Sequence, residues 1–245
     1  MKNIYILEAS NNTITGVDIY FREFIYCLKH IDNINIHRVS INSNVKEITI
    51  EDIDKVRTIK FPPFEEESQL SHKIECYFLK LFIEDTSDLV FFINYCPNLE
   101  LIKQLKKTFP KSKIILIIHD FFWLHRVLGN IDDFNERKKI NTDYIHHAYK
   151  EGLLAYNLTD KIVCLSKDTY ELLNTSFNIS LNKLFLIPNG LQDTHIPITK
   201  QEKTLMKKEY NIDNDNLILL FVGRCSKTKG IHPLIDGFSK VLEAV

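Results

Sequence analysis

The chain lacks the marks of several protein classes. Its five cysteines, Cys27, Cys76, Cys96, Cys164 and Cys225, form no C-x-x-C pair, and several lie inside apolar runs. That pattern suits buried, reduced thiols in a cytoplasm and not a disulfide framework. No sign of charge prevails: 31 basic and 32 acidic residues leave a net charge of −1, so no global electrostatic case exists for nucleic acid. Long hydrophobic runs are missing too. Leu89–Ile93 and Ile114–Ile118 are far too short to span a bilayer. The N-terminal run MKNIYILEAS is interrupted by Glu8 and reads as a first strand, not a signal peptide. There is no H-E-x-x-H motif, and the adjacent pair His146-His147 would face different directions on a helix, so no metal site is expected. Internal repeats and low-complexity tracts are absent. A cytoplasmic location is the expectation.

What is present is an ordinary globular composition, 44% hydrophobic and 26% charged over 245 residues. That length allows one large domain, or one domain and part of another. The hydrophobic period alternates along the chain. Strand-like runs fall at Asn3–Leu7, Ile34–Ile41, Val56–Phe61, Leu89–Ile93, Lys113–Ile118, Lys161–Leu165 and Leu184–Ile187. Helical periodicity covers Val17–Leu28, Glu67–Phe82, Leu99–Phe109, a long stretch from Asp133 to Tyr156, and Lys167–Asn174. Strands that alternate with helices, several of them uninterrupted apolar runs, predict an α/β fold: a doubly wound, mostly parallel sheet covered on both faces. Residues 1–190 would form this domain. Residues 191–200 read as a linker, and 201–245 as a charged helix, a strand at Leu217–Val222 and a final helix from Ile231, with Pro233 in its first turn.

In an open parallel sheet, ligands bind beyond the carboxyl ends of the strands. Each predicted strand here ends in usable chemistry: Glu8 and Ser10 leading to Thr15-Gly16, then Asn94-Tyr95, His119-Asp120, Ser166, and Asn189-Gly190. Their convergence on one edge argues for a single cleft. Several readings stay open at this level. Gly16 serves either a tight turn or a phosphate contact. His119, after five aliphatic residues, is either a hydrogen-bonded core histidine or a ligand contact. Asp120 either caps the following turn or touches substrate. Asp132-Asp133 reads as a helix N-cap. The lysines at 103, 106, 107, 111 and 113 make a basic patch, by default a solvated face, with peripheral membrane contact as the alternative.

The stretch Leu217–Gly230 is more specific. A buried-strand run stops at Gly223, Arg224 follows at once, and Lys229-Gly230 opens a helix. Two cations and two glycines in one strand-to-helix loop, with the orphan N–H groups of a helix start, suit phosphate. At roughly 1.5–3 kcal/mol per charge-assisted hydrogen bond, two such contacts would shift affinity about a hundredfold or more.

At this loop the sequence FVGRCSKTKGI resembles the start of the nucleotide-binding domain of retaining glycosyltransferases of the GT-B fold, family 4 type, which have two facing Rossmann-like domains. Ile187–Gly190 is similar to the turn that leaves their first domain, His119-Asp120 to the histidine after a central strand, and Cys164–Lys167 to a strand-end serine. The resemblance covers nearly the whole chain in order. It implies that Arg224 and Lys229, with Gly223 and Gly230, bind the donor diphosphate, and that His119 and Asp120 are the catalytic pair, His119 bonding the transferred sugar. Thr15, Gly16, Ser166 and Asn189 would line the substrate loops. Partners would be a nucleotide-sugar donor and a glycan, lipid-linked or protein acceptor. The transfer would proceed with retention, without a cofactor or an obligatory metal.

Two departures stand out. Thr15-Gly16 replaces the family's double glycine, and no downstream glutamate pair is found before Val245. The expectation is therefore a truncated second domain with little turnover of its own. Alternatives are a non-catalytic assembly module, self-associating through the exposed edge of Leu217–Val222, and a GT-B sugar-nucleotide epimerase.

Overall fold

The computed structural model describes residues 2–9, 16–64, 69–83, 85–94, 98–190, 196–223, 225 and 229–243. The chain divides into two compact units, Met1–Leu191 and Gln192–Val245.

The first unit is built on an eight-stranded sheet: β1 (Lys2–Ala9), β2 (Ile34–Ile41), β3 (Thr49–Ile53), β4 (Val56–Lys60), β5 (Leu89–Ile93), β6 (Lys113–Ile118), β7 (Lys161–Cys164) and β8 (Leu184–Leu186). Their order is β3-β4-β2-β1-β5-β6-β7-β8, and every pairing is parallel except β3 with β4. Strand order reverses between β1 and β5, the switch point of a doubly wound sheet. The α/β, mostly parallel class expected from the periodicity is the fold observed.

Helices cover both faces because β1 is apolar on both. Ile4 and Ile6 pack with Phe21 and Leu28 of α1 (Gly16–Leu28) on one side. Tyr5 and Leu7 join the larger core on the other, with α2 (Gln69–Phe82) and α3 (Leu99–Thr108). That alternation is the period-2 rule of strands, with neither face left to water. Asn98 caps α3 by accepting from Leu101 N at 3.0 Å, and Glu100 at the start with Lys106 and Lys107 at the end match the helix dipole.

The long helix expected over Asp133–Tyr156 is two helices, α4 (Ile131–Arg137) and α5 (Tyr144–Leu158). Asp143 breaks it by capping α5, accepting from Ile145 N at 2.7 Å. Arg137 grips the same carboxylate with Nε at 2.9 Å and a second nitrogen at 3.2 Å. Nδ1 of His146 donates to the Lys138 carbonyl at 2.6 Å and holds the intervening turn. The cap of α4 is Asn130, which accepts from the N–H groups of Asp132 and Asp133; those two acids occupy the first turn instead of capping it.

Strand β3 had no counterpart in the sequence reading. It joins β4 through Asp54-Lys55, both at positive φ (49° and 66°), as a two-residue primed turn requires, but without the glycine that usually signals one.

Helix α6 (Lys167–Thr175) follows β7 and starts at the carboxyl edge of the sheet. Among the cysteines, Cys76 and Cys164 are buried, and burial pushes both thiols up to about 12. Cys27 and Cys225 are exposed, contrary to the buried-thiol expectation. No helix among the described residues is long and apolar enough to cross a membrane.

The second unit has α7 (Lys200–Glu209), opened by a capping box between Thr199 and Glu202, and α8 (Ile231–Glu243). The strand expected at Leu217–Val222 is not formed. A strand needs a neighbour to take its backbone hydrogen bonds, and the described residues of this unit contain no other strand. The segment's apolar side chains stand in solvent, Leu217 at 96% and Val222 at 85% exposure.

Candidate functional site

The carboxyl edge of β6 and β7 borders a cavity of about 600 Å³, within the range of roughly 300–1,000 Å³ usual for small-molecule sites. Its polar lining is His119, Asp120, Ser166, Asp168, Thr169, Glu171 and Thr175. Phe121, Leu124, Ile131 and Leu172 supply an apolar wall. The loop after β6 and the start of α6 thus meet here, each placed by a strand that ends in the core.

His119 follows directly on β6. Its Nε2 lies 2.8 Å from Oδ1 of Asn94, at the end of the adjacent strand β5. An amide oxygen only accepts, so with this amide orientation the ring carries its proton on Nε2, and Nδ1 is left as an acceptor. Tyr20 of α1 packs edge-on to the ring at 4.9 Å between centroids. Burial lowers the imidazole to about 4, so it is neutral at physiological pH. Asn94 is wholly buried, its backbone N–H donates to Leu7 O at 2.9 Å, and its side-chain Nδ2 has no partner among the described residues.

Asp120 is half exposed. Its Oδ1 accepts from Phe121 N at 2.7 Å and its Oδ2 lies 3.3 Å from Nε2 of His125, so it caps the turn and also lines the cavity. Ser166 likewise has two roles. Its Oγ caps α6, accepting from Thr169 N at 3.1 Å and donating to Thr169 Oγ1 at 2.9 Å, and it lines the cavity.

Beneath the apolar wall lies an aromatic cluster. Trp123 stacks on Phe134 at 4.1 Å, and Phe121 and Phe177 pack around them. These rings fix the loop that presents His119 and Asp120.

The remaining expected site residues fall elsewhere. Gly16 is the first residue of α1, one turn before Tyr20, and a Cβ there would meet nothing within 4 Å among the described residues. Asn189 is exposed beyond β8, outside the cavity lining. In the second unit, Gly230 has φ +72° and its carbonyl accepts from Leu234 N at 3.1 Å, the first bond of α8. Lys229 is exposed and has no ion-pair partner among the described residues, and a Cβ on Gly223 would crowd the Phe221 ring at 3.3 Å. Thr15 and Arg224 lie outside the described residues. Among the described residues, no group of three or more His, Cys, Asp or Glu is placed to hold a metal ion.

Asp168, Glu171 and Tyr20 were not singled out as site residues from the sequence. Their helical positions carry no motif, and only the winding of α6 and α1 onto the same edge reveals them.

No protein-family model matches the chain. Over 85 residues it is 31% identical to a Methanocaldococcus jannaschii protein named as an uncharacterized glycosyltransferase, a match covering 34% of this chain and 22% of that one. The catalytic domain of starch synthase IV from Arabidopsis thaliana, bound to ADP and acarbose, superposes with a TM-score of 0.55 at 11% identity, over 99% of this chain and 66% of that one. The E. coli trehalose-6-phosphate synthase bound with UDP-2-fluoro glucose gives 0.51 at 8% identity, over 86% and 55%. The chain spans less than two thirds of each. At such identities the superpositions show the fold, and that fold is the Rossmann-like architecture of the GT-B glycosyltransferases.

Proposed function

We propose that the chain is part of a glycosyltransferase that moves a sugar from a nucleotide-sugar donor to an acceptor, with retention at the transferred carbon. One observation carries the reading: in a sheet of GT-B architecture, His119, Asp120 and Ser166 line one cavity at the carboxyl edge, with the His119 imidazole neutral and its Nε2 tied to Asn94.

In this reading His119 offers Nδ1 to a hydroxyl of the transferred sugar, and Asp120 orients the neighbouring hydroxyls. A neutral imidazole is the useful form, because a hydroxyl needs an acceptor there and an imidazolium has none. In the second unit, Arg224 and Lys229 take the donor diphosphate, and the N-terminal N–H groups of α8 add donors. As the bond to the leaving nucleoside diphosphate stretches, negative charge grows on its terminal phosphate, and two fixed cations stabilise that charge more than they stabilise the ground state. The cations occupy the role a metal ion would otherwise fill, so no obligatory metal is required.

Calorimetric titration of the 245-residue chain with UDP and ADP tests the donor half. Arg224→Ala and Lys229→Ala should each weaken binding about tenfold or more. Nucleotide affinity unchanged in both variants would remove the diphosphate clamp.

A second reading, self-association, is favoured by the exposed apolar groups of the second unit. Besides Leu217 and Val222, Leu220 is 77% exposed, and Ile235, Val241 and Leu242 of α8 face solvent. Exposed apolar side chains on a segment with no strand partner among the described residues invite pairing with another copy. Light scattering that shows a strict monomer would eliminate it.

A further inference from the structure

We infer that the cavity between the β6 loop and α6 accepts neutral or amine-bearing sugar hydroxyls and rejects phosphorylated ones. This inference rests on the glycosyltransferase reading for its role, since the cavity would hold the acceptor, but its chemistry rests on the lining alone.

Among the described residues, the charged groups that face the cavity are all carboxylates: Asp120 from the loop after β6, and Asp168 and Glu171 from α6. No lysine or arginine belongs to the lining among the described residues. Lys167 reaches Glu171 at 3.4 Å from outside and gives it a partial counter-charge, His125 Nε2 stands 3.3 Å from Asp120, and Asp168 has no ion-pair partner among the described residues. His119 contributes no positive charge, because burial keeps it neutral above about pH 4.

The start of α6 would ordinarily attract an anion, since a helix N-terminus presents orphan N–H groups and a positive dipole end. Here part of that capacity is already taken. Ser166 Oγ accepts the Thr169 N–H, and the Asp168 carboxylate sits in the first turn. A phosphate arriving at this point would meet three negative groups and a helix end with its Thr169 N–H already capped and a carboxylate in its first turn.

A sugar without phosphate meets a different surface. Its hydroxyls donate to carboxylates in charge-assisted hydrogen bonds, and the hydroxyls of Thr169 and Thr175 can both give and take. The apolar wall of Leu124, Ile131 and Leu172 suits the C–H face of a pyranose. An ammonium substituent would gain further from the carboxylates.

The test is an amide-shift titration of the uniformly labelled full chain with methyl α-glucoside, glucosamine and glucose 6-phosphate, read at Ser166–Glu171. The first two should shift these amides at concentrations about tenfold or more below any effect of glucose 6-phosphate. In the double variant Asp168→Asn/Glu171→Gln the preference should shrink several-fold. Glucose 6-phosphate binding at these amides as tightly as the neutral sugar would overturn the inference, as would no shift with any of the three. UDP, read at Lys229–Ile231 in the same samples, separates the two readings. Sugars that bind where UDP does not keep the cavity preference and remove the transferase, whereas UDP binding without any sugar shift removes the cavity preference alone.

Discussion

The side-chain oxygen of Asn94 accepts the Nε2–H of His119 at 2.8 Å, joining the carboxyl ends of two adjacent central strands. The pair lies beside the switch point of the sheet. It couples the protonation of the candidate sugar contact to an amide that is itself wholly buried.

That coupling makes Asn94→Asp an informative substitution. A carboxylate beside the ring favours the imidazolium, so His119 should titrate well above its present value of about 4, toward or beyond the ordinary 6.5. The measurement is the imidazole shift of His119 by NMR across pH. A ring that still titrates near 4 would show that the two groups are not bonded in solution. If a sugar hydroxyl donates to Nδ1, binding of methyl α-glucoside by the variant should weaken as pH is lowered through the new value, because the protonated ring loses its acceptor.

The pH dependence of stability follows from two histidines. Burial lowers His37 as well as His119 from 6.5 to about 4. Both resist protonation when folded and accept it readily when unfolded, so each contribution is intact above 6.5 and is lost as pH falls toward 4. Buried Glu8, raised by burial against the counter-effect of Arg38, works in the opposite direction. Urea midpoints at pH 7 and pH 4.5 should therefore differ, with the acid sample less stable by an amount on the order of 2–4 kcal/mol. His37→Gln and His119→Gln should each flatten the slope. A wild-type midpoint that does not move would contradict the neutral assignment.

The aromatic cluster offers a packing test. Phe134 is fully buried against Trp123, the sole tryptophan. Phe134→Ala should cost about 3–5 kcal/mol through lost contacts and the cavity left behind. Fluorescence of Trp123 during urea unfolding reports it directly. A loss under about 1 kcal/mol would mean that the rings do not hold the β6 loop.

Gly16 separates folding from binding. A Cβ there meets nothing within 4 Å among the described residues, and the residue opens α1 without a left-handed φ, so Gly16→Ala should leave stability unchanged or raise it by about 0.4–1 kcal/mol. If a ligand approaches this backbone, Gly16→Leu should weaken donor or acceptor binding while thermal stability holds. Binding insensitive to both changes would make Gly16 a turn residue and nothing more.

Much of the first unit was legible in its sequence because its signals are local. Apolar runs such as LVFFI and KIILII can only be strands buried on both faces, and their polar successors Asn94 and His119 had to fall at one edge. Periodicity failed where a local competitor intervened. The apolar spacing through Asp133–Tyr156 continues across a break set by the Asp143 cap and its Arg137 partner. The β3–β4 hairpin was missed because its turn uses Asp54-Lys55, and the strand carries Glu51 and Asp52 at the sheet edge.

The order of residues along the chain was enough to fix the alternation of strands and helices, the parallel sheet and the list of polar groups at its edge. Those properties depend on backbone dihedrals and on which side chains avoid water, and both are written in near neighbours. Folding settled which of these groups meet: His119 with Asn94, Asp120 with the acids of α6, Ser166 with its own helix. It also left Leu217–Val222 unpaired, although the same residues read in isolation as a strand. A hydrogen-bond partner, a counter-charge and a ladder neighbour are all supplied from far along the chain, and no local period encodes where they will come from.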